Sequence, residues 1–192
     1  MKINREGKSK VLDTNELDSL LTYLPSKKHK LIAQVCRKTA CRISECLQLR
    51  YENLTKEAIF FPKAITKAKL KARFVPINSK FYDELMQFKE EDETLNGRLL
   101  SPKCYLFYGR YGTNTHLSVR AFQKALKAAC IKGGIIGFSS HGFRRSSLTS
   151  ASNKNVPIRH LAEVSGHSNM QSLQIYLDCS ESQLREAVQN FG

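Results

Sequence analysis

The sequence predicts a mainly α-helical domain carrying one small antiparallel β-hairpin, an α+β fold. Three observations predict it. Apolar residues recur at relative positions 0, 3, 4 and 7 in windows at both ends of the chain, Leu17, Leu20, Leu21, Leu24 and then Leu184, Ala187, Val188, Phe191, which is the stripe of an amphipathic helix. Helix start and stop residues bracket such windows along the chain. One window, AIFFP followed by a Lys-rich stretch and RFVPI, instead gathers β-branched and aromatic residues in two short runs. With 192 residues, 41% hydrophobic and 25% charged, the chain suits one domain with a real core.

The elements follow in order. Asp13 and Glu16 form a variant capping box ahead of the first leucine stripe, giving a helix over about residues 14–24. A second helical pattern covers residues 30–49, broken by the polar turn Thr39 to Arg42 and resuming at Ile43, Cys46, Leu47 and Leu49. Residues 58–62 and 73–77 pair as a basic hairpin whose Pro62 and Pro76 mark edge strands. Helical spacing returns at Phe81, Leu85 and Phe88, and the acidic run Glu90 to Glu93 with Asn96 and Gly97 predicts an exposed loop. After the short apolar YLFY, Ser118 caps a helix over residues 119–132 that Gly133 and Gly134 stop. The last third predicts a helix over 141–153, another beginning at Pro157, a turn at Ser165 to Asn169, and a short helix carrying Tyr176. Ser180 and Gln183 cap a final amphipathic helix, 181–191, whose apolar face must dock somewhere.

A formal net charge of +14 favours a polyanionic partner, because clustered Lys and Arg release counterions from a phosphate backbone. Six cysteines, Cys36, Cys41, Cys46, Cys104, Cys130 and Cys179, make no CxxC pair and no zinc-like spacing with histidine, so they read as reduced thiols packed as small hydrophobes. No signal-peptide run and no stretch of membrane-spanning length occurs, which predicts an intracellular, cytoplasmic protein with no membrane partner. The carboxylates are scattered or lie in the 90–93 run, so no two-metal cluster and no cofactor is expected.

Phosphodiester chemistry without a metal needs a nucleophile, cations at the non-bridging oxygens and a proton donor for the leaving oxygen. His141 and Arg144, three apart, share a helix face and can both reach one phosphate. Alone, such an H-x-x-R pair is a common basic helix start. Its company is more specific: Gly166-His167 follows Arg144 by 23 residues, and Tyr176 follows His167 by nine within LQIYLD. With TACRISECLQLRYENL upstream, this resembles the catalytic domain of tyrosine recombinases, the phage-type integrases, over about residues 13–190. That family carries an Arg in a T-G-x-R-x-S-E-like turn, a Lys in a β-hairpin, an H-x-x-R pair, an L-G-H or L-G-W turn, and a Tyr. The counterparts here are Arg42 with Glu45 after it, Lys67, His141 with Arg144, His167 and Tyr176. Two departures stand out. Ala40 occupies the family's glycine position, and the hairpin has one extra residue, so Lys69 is the alternative to Lys67.

The resemblance implies a tyrosine recombinase catalytic-domain fold and a site-specific recombinase or integrase that cleaves and rejoins DNA without metal or ATP. Tyr176 would attack the phosphate to leave a 3′-phosphotyrosyl link; Arg42 and Arg144 would bind the non-bridging oxygens. Lys67 would protonate the leaving 5′-oxygen, His141 would assist proton transfer, and His167 would hydrogen-bond the phosphate. Lys63, Lys69, Lys71 and Arg145 are the expected contacts to the DNA backbone. The implied partner is double-stranded DNA, with a tetramer on DNA formed through the 181–191 helix, in a prokaryote, phage or mobile element. Residues 1–12 read as a basic extension and 13–192 as the catalytic domain, with the family's N-terminal core-binding domain absent. Two other readings stay open: a DNA-binding regulator on the same fold that does not cut, and a type IB topoisomerase-like relaxing enzyme.

Overall fold

A computed structural model describes residues 9–66, 71–167 and 169–174, together with Arg185, Val188 and Gln189. Helices α1 (Thr14–Thr22), α2 (Lys27–Thr39) and α3 (Ile43–Leu47) lead into strands β1 (Ala58–Phe61) and β2 (Arg73–Pro76). Helix α4 (Ser79–Asn96), strands β3 (Tyr108–Gly109) and β4 (Gly112–His116), and helices α5 (Val119–Lys132), α6 (Ser140–Ser152), α7 (Ile158–Ser165) and α8 (Met170–Gln174) complete the order. The expected mainly helical α+β class is what folds.

The capping box of α1 forms as expected, with Asp13 accepting from the Glu16 N–H and Glu16 from the Asp13 N–H. Leu17, Leu20 and Leu24 are buried and Leu21 packs at the margin of the same core. Helix α2 starts a turn earlier than its apolar pattern indicates, because Ser26 caps a polar first turn that hydrophobic spacing does not register. Leu31, Ile32, Val35 and Cys36 then enter the core, and α2 packs along α6. In the hairpin Ile59 pairs with Val75 and Phe61 with Arg73, all four facing inward, while Phe60 stacks on the exposed Phe74 at 4.5 Å between centroids.

Two expectations fail. Residues 90–93 are helical, because α4 runs on until Gly97, whose left-handed backbone (φ 59°) ends it. Lys89 pairs with Glu93 along the helix at 3.2 Å, and Asp92 accepts a hydrogen bond from the Tyr108 hydroxyl at 2.6 Å, so the acidic run has partners that hold it helical. A second two-stranded sheet, β3 with β4, was also not foreseen: GTNTH is polar and lacks the alternation of a half-buried strand.

Packing begins before the first helix. Ser9 accepts from the Ser139 N–H through its hydroxyl (3.0 Å) and Leu12 donates to the Ser146 hydroxyl (2.9 Å), so residues 9–12 belong to the domain body. Leu12 is fully enclosed. A small second core of Ala40, Leu148, Leu161, Ala162 and Leu173 ties α6, α7 and α8 to the turn after α2, which is the turn that carries Arg42. Cys36, Cys41, Cys46, Cys104 and Cys130 are free and buried, as the sequence predicts. Among the described residues no helix is long and apolar enough to cross a membrane.

Candidate active site

The turn between α2 and α3 is built by Thr39, whose hydroxyl donates to the Val35 carbonyl (2.7 Å) and accepts from the Cys41 N–H (3.3 Å). Ala40 takes a left-handed backbone, φ 49° and ψ 25°, which explains why glycine is the family's usual residue there. An L-residue at that conformation costs about 1–2 kcal/mol. The Ala40 methyl recovers roughly 0.8 kcal/mol by burial against Leu148 and Leu161. Part of the strain therefore remains, and the turn still delivers Arg42.

Arg42 caps α3 and donates from Nη1 to Glu45 Oε1 at 2.9 Å, while its backbone N–H donates to Oε2 at 3.1 Å. Glu45 is fully buried and also accepts from Arg73 Nη2 at 2.6 Å. Burial pushes the Glu45 carboxyl up, but the Arg73 charge and the hydrogen bonds from Arg73 and Arg42 outweigh it and hold the group below the usual carboxylate range. Arg73 itself lies over the Phe61 ring at 4.3 Å and donates from Nε to the Val164 carbonyl at 3.1 Å. It thus joins the hairpin, α3 and the end of α7.

Arg144 is 1% exposed. Its Nη1 donates to the carbonyls of Ala40 and Ser165, both at 2.7 Å, which locks the guanidinium between the Arg42 turn and the α7 terminus. Its Nη2 lies 2.9 Å from Nε2 of His167. His167 Nδ1 lies 2.7 Å from the Ser165 hydroxyl, which donates to the Leu161 carbonyl at 2.5 Å. Arg144 Nη2 also lies 3.1 Å from His167 Nδ1, so the guanidinium edge sits against the imidazole ring. Burial, then the charges of Arg144, Arg42, His141 and Arg73, push His167 down to about 3, so its ring is neutral near pH 7. His141 is exposed in the first turn of α6, three residues before Arg144.

Arg144 touches His167, binds the Ala40 carbonyl two residues from Arg42, and follows His141 by three residues on α6, so four of the six expected catalytic residues, Arg42, His141, Arg144 and His167, lie in one neighbourhood. Lys67, its alternative Lys69, and Tyr176 lie outside the described residues, as does most of the 181–191 tail. Lys63 is exposed in the 3₁₀ turn Lys63–Ile65, and exposed Lys71 pairs with Glu163 at 2.7 Å. Such a surface pair is worth little and exchanges readily for a phosphate. Arg145 corrects its expectation: it is buried and donates from Nη1 to the Ser9 carbonyl at 2.7 Å, so it anchors the N-terminal segment rather than facing a DNA backbone. Sequence reasoning missed Arg73 and Ser165. The signal for Arg73 was its place two residues before Val75 on one strand face, which turns a guanidinium inward.

Fold and site together define a mainly helical domain in which a buried arginine, Arg144, ties the Arg42 turn to the end of α7. The chain belongs to the phage integrase family, whose model matches residues 10–183. It is 28% identical over 189 residues to the tyrosine recombinase XerD of Staphylococcus saprophyticus, covering 94% of this chain and 62% of that protein. The chain thus spans less than two thirds of that relative. Among solved structures it is similar to the catalytic domain of bacteriophage HP1 integrase (TM-score 0.67, 20% identity, 96% of both chains). It is also similar to the XerH site-specific recombinase bound to its difH substrate in a pre-cleavage complex (TM-score 0.74, 20% identity, 98% of this chain and 57% of that one). Both likenesses bear out the tyrosine recombinase catalytic-domain fold.

Proposed function

We propose that this domain cleaves and rejoins double-stranded DNA in site-specific recombination, through a 3′-phosphotyrosyl link to Tyr176. The observation that carries the proposal is Arg144 held between the Ala40 carbonyl of the Arg42 turn and His167, with His141 three residues before it on α6. The Tn1549 transposon integrase, similar in fold (TM-score 0.73, 15% identity, 99% of this chain and 69% of that one), is solved in complex with circular intermediate DNA, which supports DNA as the partner. The phosphate enters between the two guanidiniums, each offering forked donors to a non-bridging oxygen as charge builds in the transition state. Arg144 has one terminal nitrogen held by two carbonyls, so its other edge is pre-aimed and little reorganisation is needed on binding.

Tyr176 forms the P–O bond as the bond to the 5′-oxygen breaks. Lys67, or Lys69 in its place, supplies the proton to that oxygen, and exposed His141 takes the phenol proton. His167 is neutral and accepts from Arg144, so its part is to hold that guanidinium in line for the phosphate. The phosphotyrosyl link keeps the energy of the broken bond, and a 5′-hydroxyl of another strand reseals it. Lys63 and Lys71 hold the flanking backbone, and the 181–191 tail joins protomers into a tetramer on DNA.

The test is a nicked duplex incubated with the protein in chelator and without ATP, followed by denaturing electrophoresis. Wild type is expected to form a protein–DNA adduct, while Tyr176→Phe forms none and binds the duplex with unchanged affinity. An adduct persisting in Tyr176→Phe would overturn the nucleophile; no adduct in wild type would favour the non-cutting regulator.

A further inference from the structure

Cys36 on α2, Cys41 in the Arg42 turn and Cys46 on α3 are far from zinc spacing in the sequence, yet their Sγ atoms all lie within 4.8 Å of one another. Their exposures are 0%, 1% and 0%. No other group of three or more histidine, cysteine, aspartate or glutamate side chains with this convergence occurs among the described residues. The phosphate pocket needs none of the three. We propose that these thiols form a binding site for a trivalent thiophilic metalloid of the arsenite class.

Three arguments select that ligand class. Sulfur is the softest donor a protein offers and favours thiophilic centres over hard cations. The three thiols belong to the main hydrophobic core, Cys46 Sγ donates to the Ile32 carbonyl at 3.7 Å, and the fully buried Glu45 adjoins Cys46 in the chain, so a further uncompensated negative charge is costly there. Three thiolates around a monovalent or divalent cation leave a net negative charge, whereas around a trivalent centre they leave none. The balance is simple: As(OH)3 and three Cys–SH give As(S–Cys)3 and three waters, with three As–O and three S–H bonds broken, three As–S and three O–H bonds formed and no change of oxidation state. The sulfurs approach by small movements of Cys41, the one ligand that sits in a turn rather than in a helix. That turn also carries Arg42 and, through the Ala40 carbonyl, steadies Arg144, so the ligand would sit directly behind the phosphate pocket.

The experiment is intact-mass spectrometry of the reduced chain after incubation with arsenite alone, under conditions that keep the fold. The expected product is a single adduct heavier by one arsenic less three hydrogens, with an accompanying ultraviolet thiolate-to-arsenic absorption and a rise in melting temperature. Cys36→Ser, Cys41→Ser or Cys46→Ser should each lose that mass, and Cys104→Ser and Cys130→Ser should keep it. A two-thiol adduct retaining a hydroxyl, an adduct mapping to other cysteines, or no adduct would overturn the proposal. The wild-type mass alone decides between three thiols and two, so a variant that fails to fold leaves the test intact. None of these readouts depends on DNA cleavage.

Discussion

At the residue scale, His167 shows how the pocket sets the state of its own groups. The unfolded chain takes up a proton at this histidine near 6.5, while burial and the surrounding cations delay uptake in the folded protein to about 3. The stability contributed by the neutral ring is therefore complete above pH 6.5 and is lost progressively as pH falls toward 3. Thermal melts across that range should show wild type losing stability more steeply than His167→Gln, which has no such proton to take up; equal slopes would mean the imidazole is not held neutral. Glu45 works in the opposite sense. Its carboxylate stays charged because Arg42 and Arg73 flank it, and it keeps two guanidiniums close that would otherwise repel.

At the element scale, the site depends on how α3, β2 and the α7 terminus lock together. Gly166 ends α7 in a left-handed backbone (φ 69°), and a Cβ there would come within 3.0 Å of Arg73 Nη1. Gly166→Ala should cost about 1–2 kcal/mol from backbone strain, and in addition shift the Arg73 fork from Glu45. Denaturant unfolding checks the first, and a fall in adduct formation beyond the lost folded fraction checks the second. Much at this scale was legible in the sequence. The leucine stripe of α1, the Asp13 capping box, the Ser118 cap and the three-residue spacing of His141 and Arg144 are local signals, and each produced the element it indicated. What was not legible is tertiary in origin. The acidic run stays helical because Asp92 and Glu93 find partners, and β3 with β4 pair through backbone bonds that polar residues do not advertise. Arg145 reads like a surface cation until the chain folds Ser9 over it.

At the scale of the whole molecule, the surplus of 31 Lys and Arg over 17 Asp and Glu is divided between two tasks. Buried guanidiniums such as Arg73, Arg144 and Arg145 organise the body through carbonyl and carboxylate partners. Lysines such as Lys63 and Lys71 are exposed, and under the proposed function they meet the DNA backbone. Binding measured by fluorescence anisotropy should weaken linearly in log–log terms with salt. Lys63→Ala and Lys71→Ala should each lower the slope by about one, and by a similar amount on any sequence. An unchanged slope would place the duplex on another face.

In the proposed reaction Arg42 and Arg144 act on the same phosphorus atom, and a double-mutant cycle on the rate of adduct formation with a nicked duplex reads that coupling. Residues that work as a unit lose far less together than the sum of their separate losses. Arg42→Ala with Arg144→Ala should be only slightly slower than the worse single variant; losses that simply add, each variant remaining folded, would put the two guanidiniums at separate tasks.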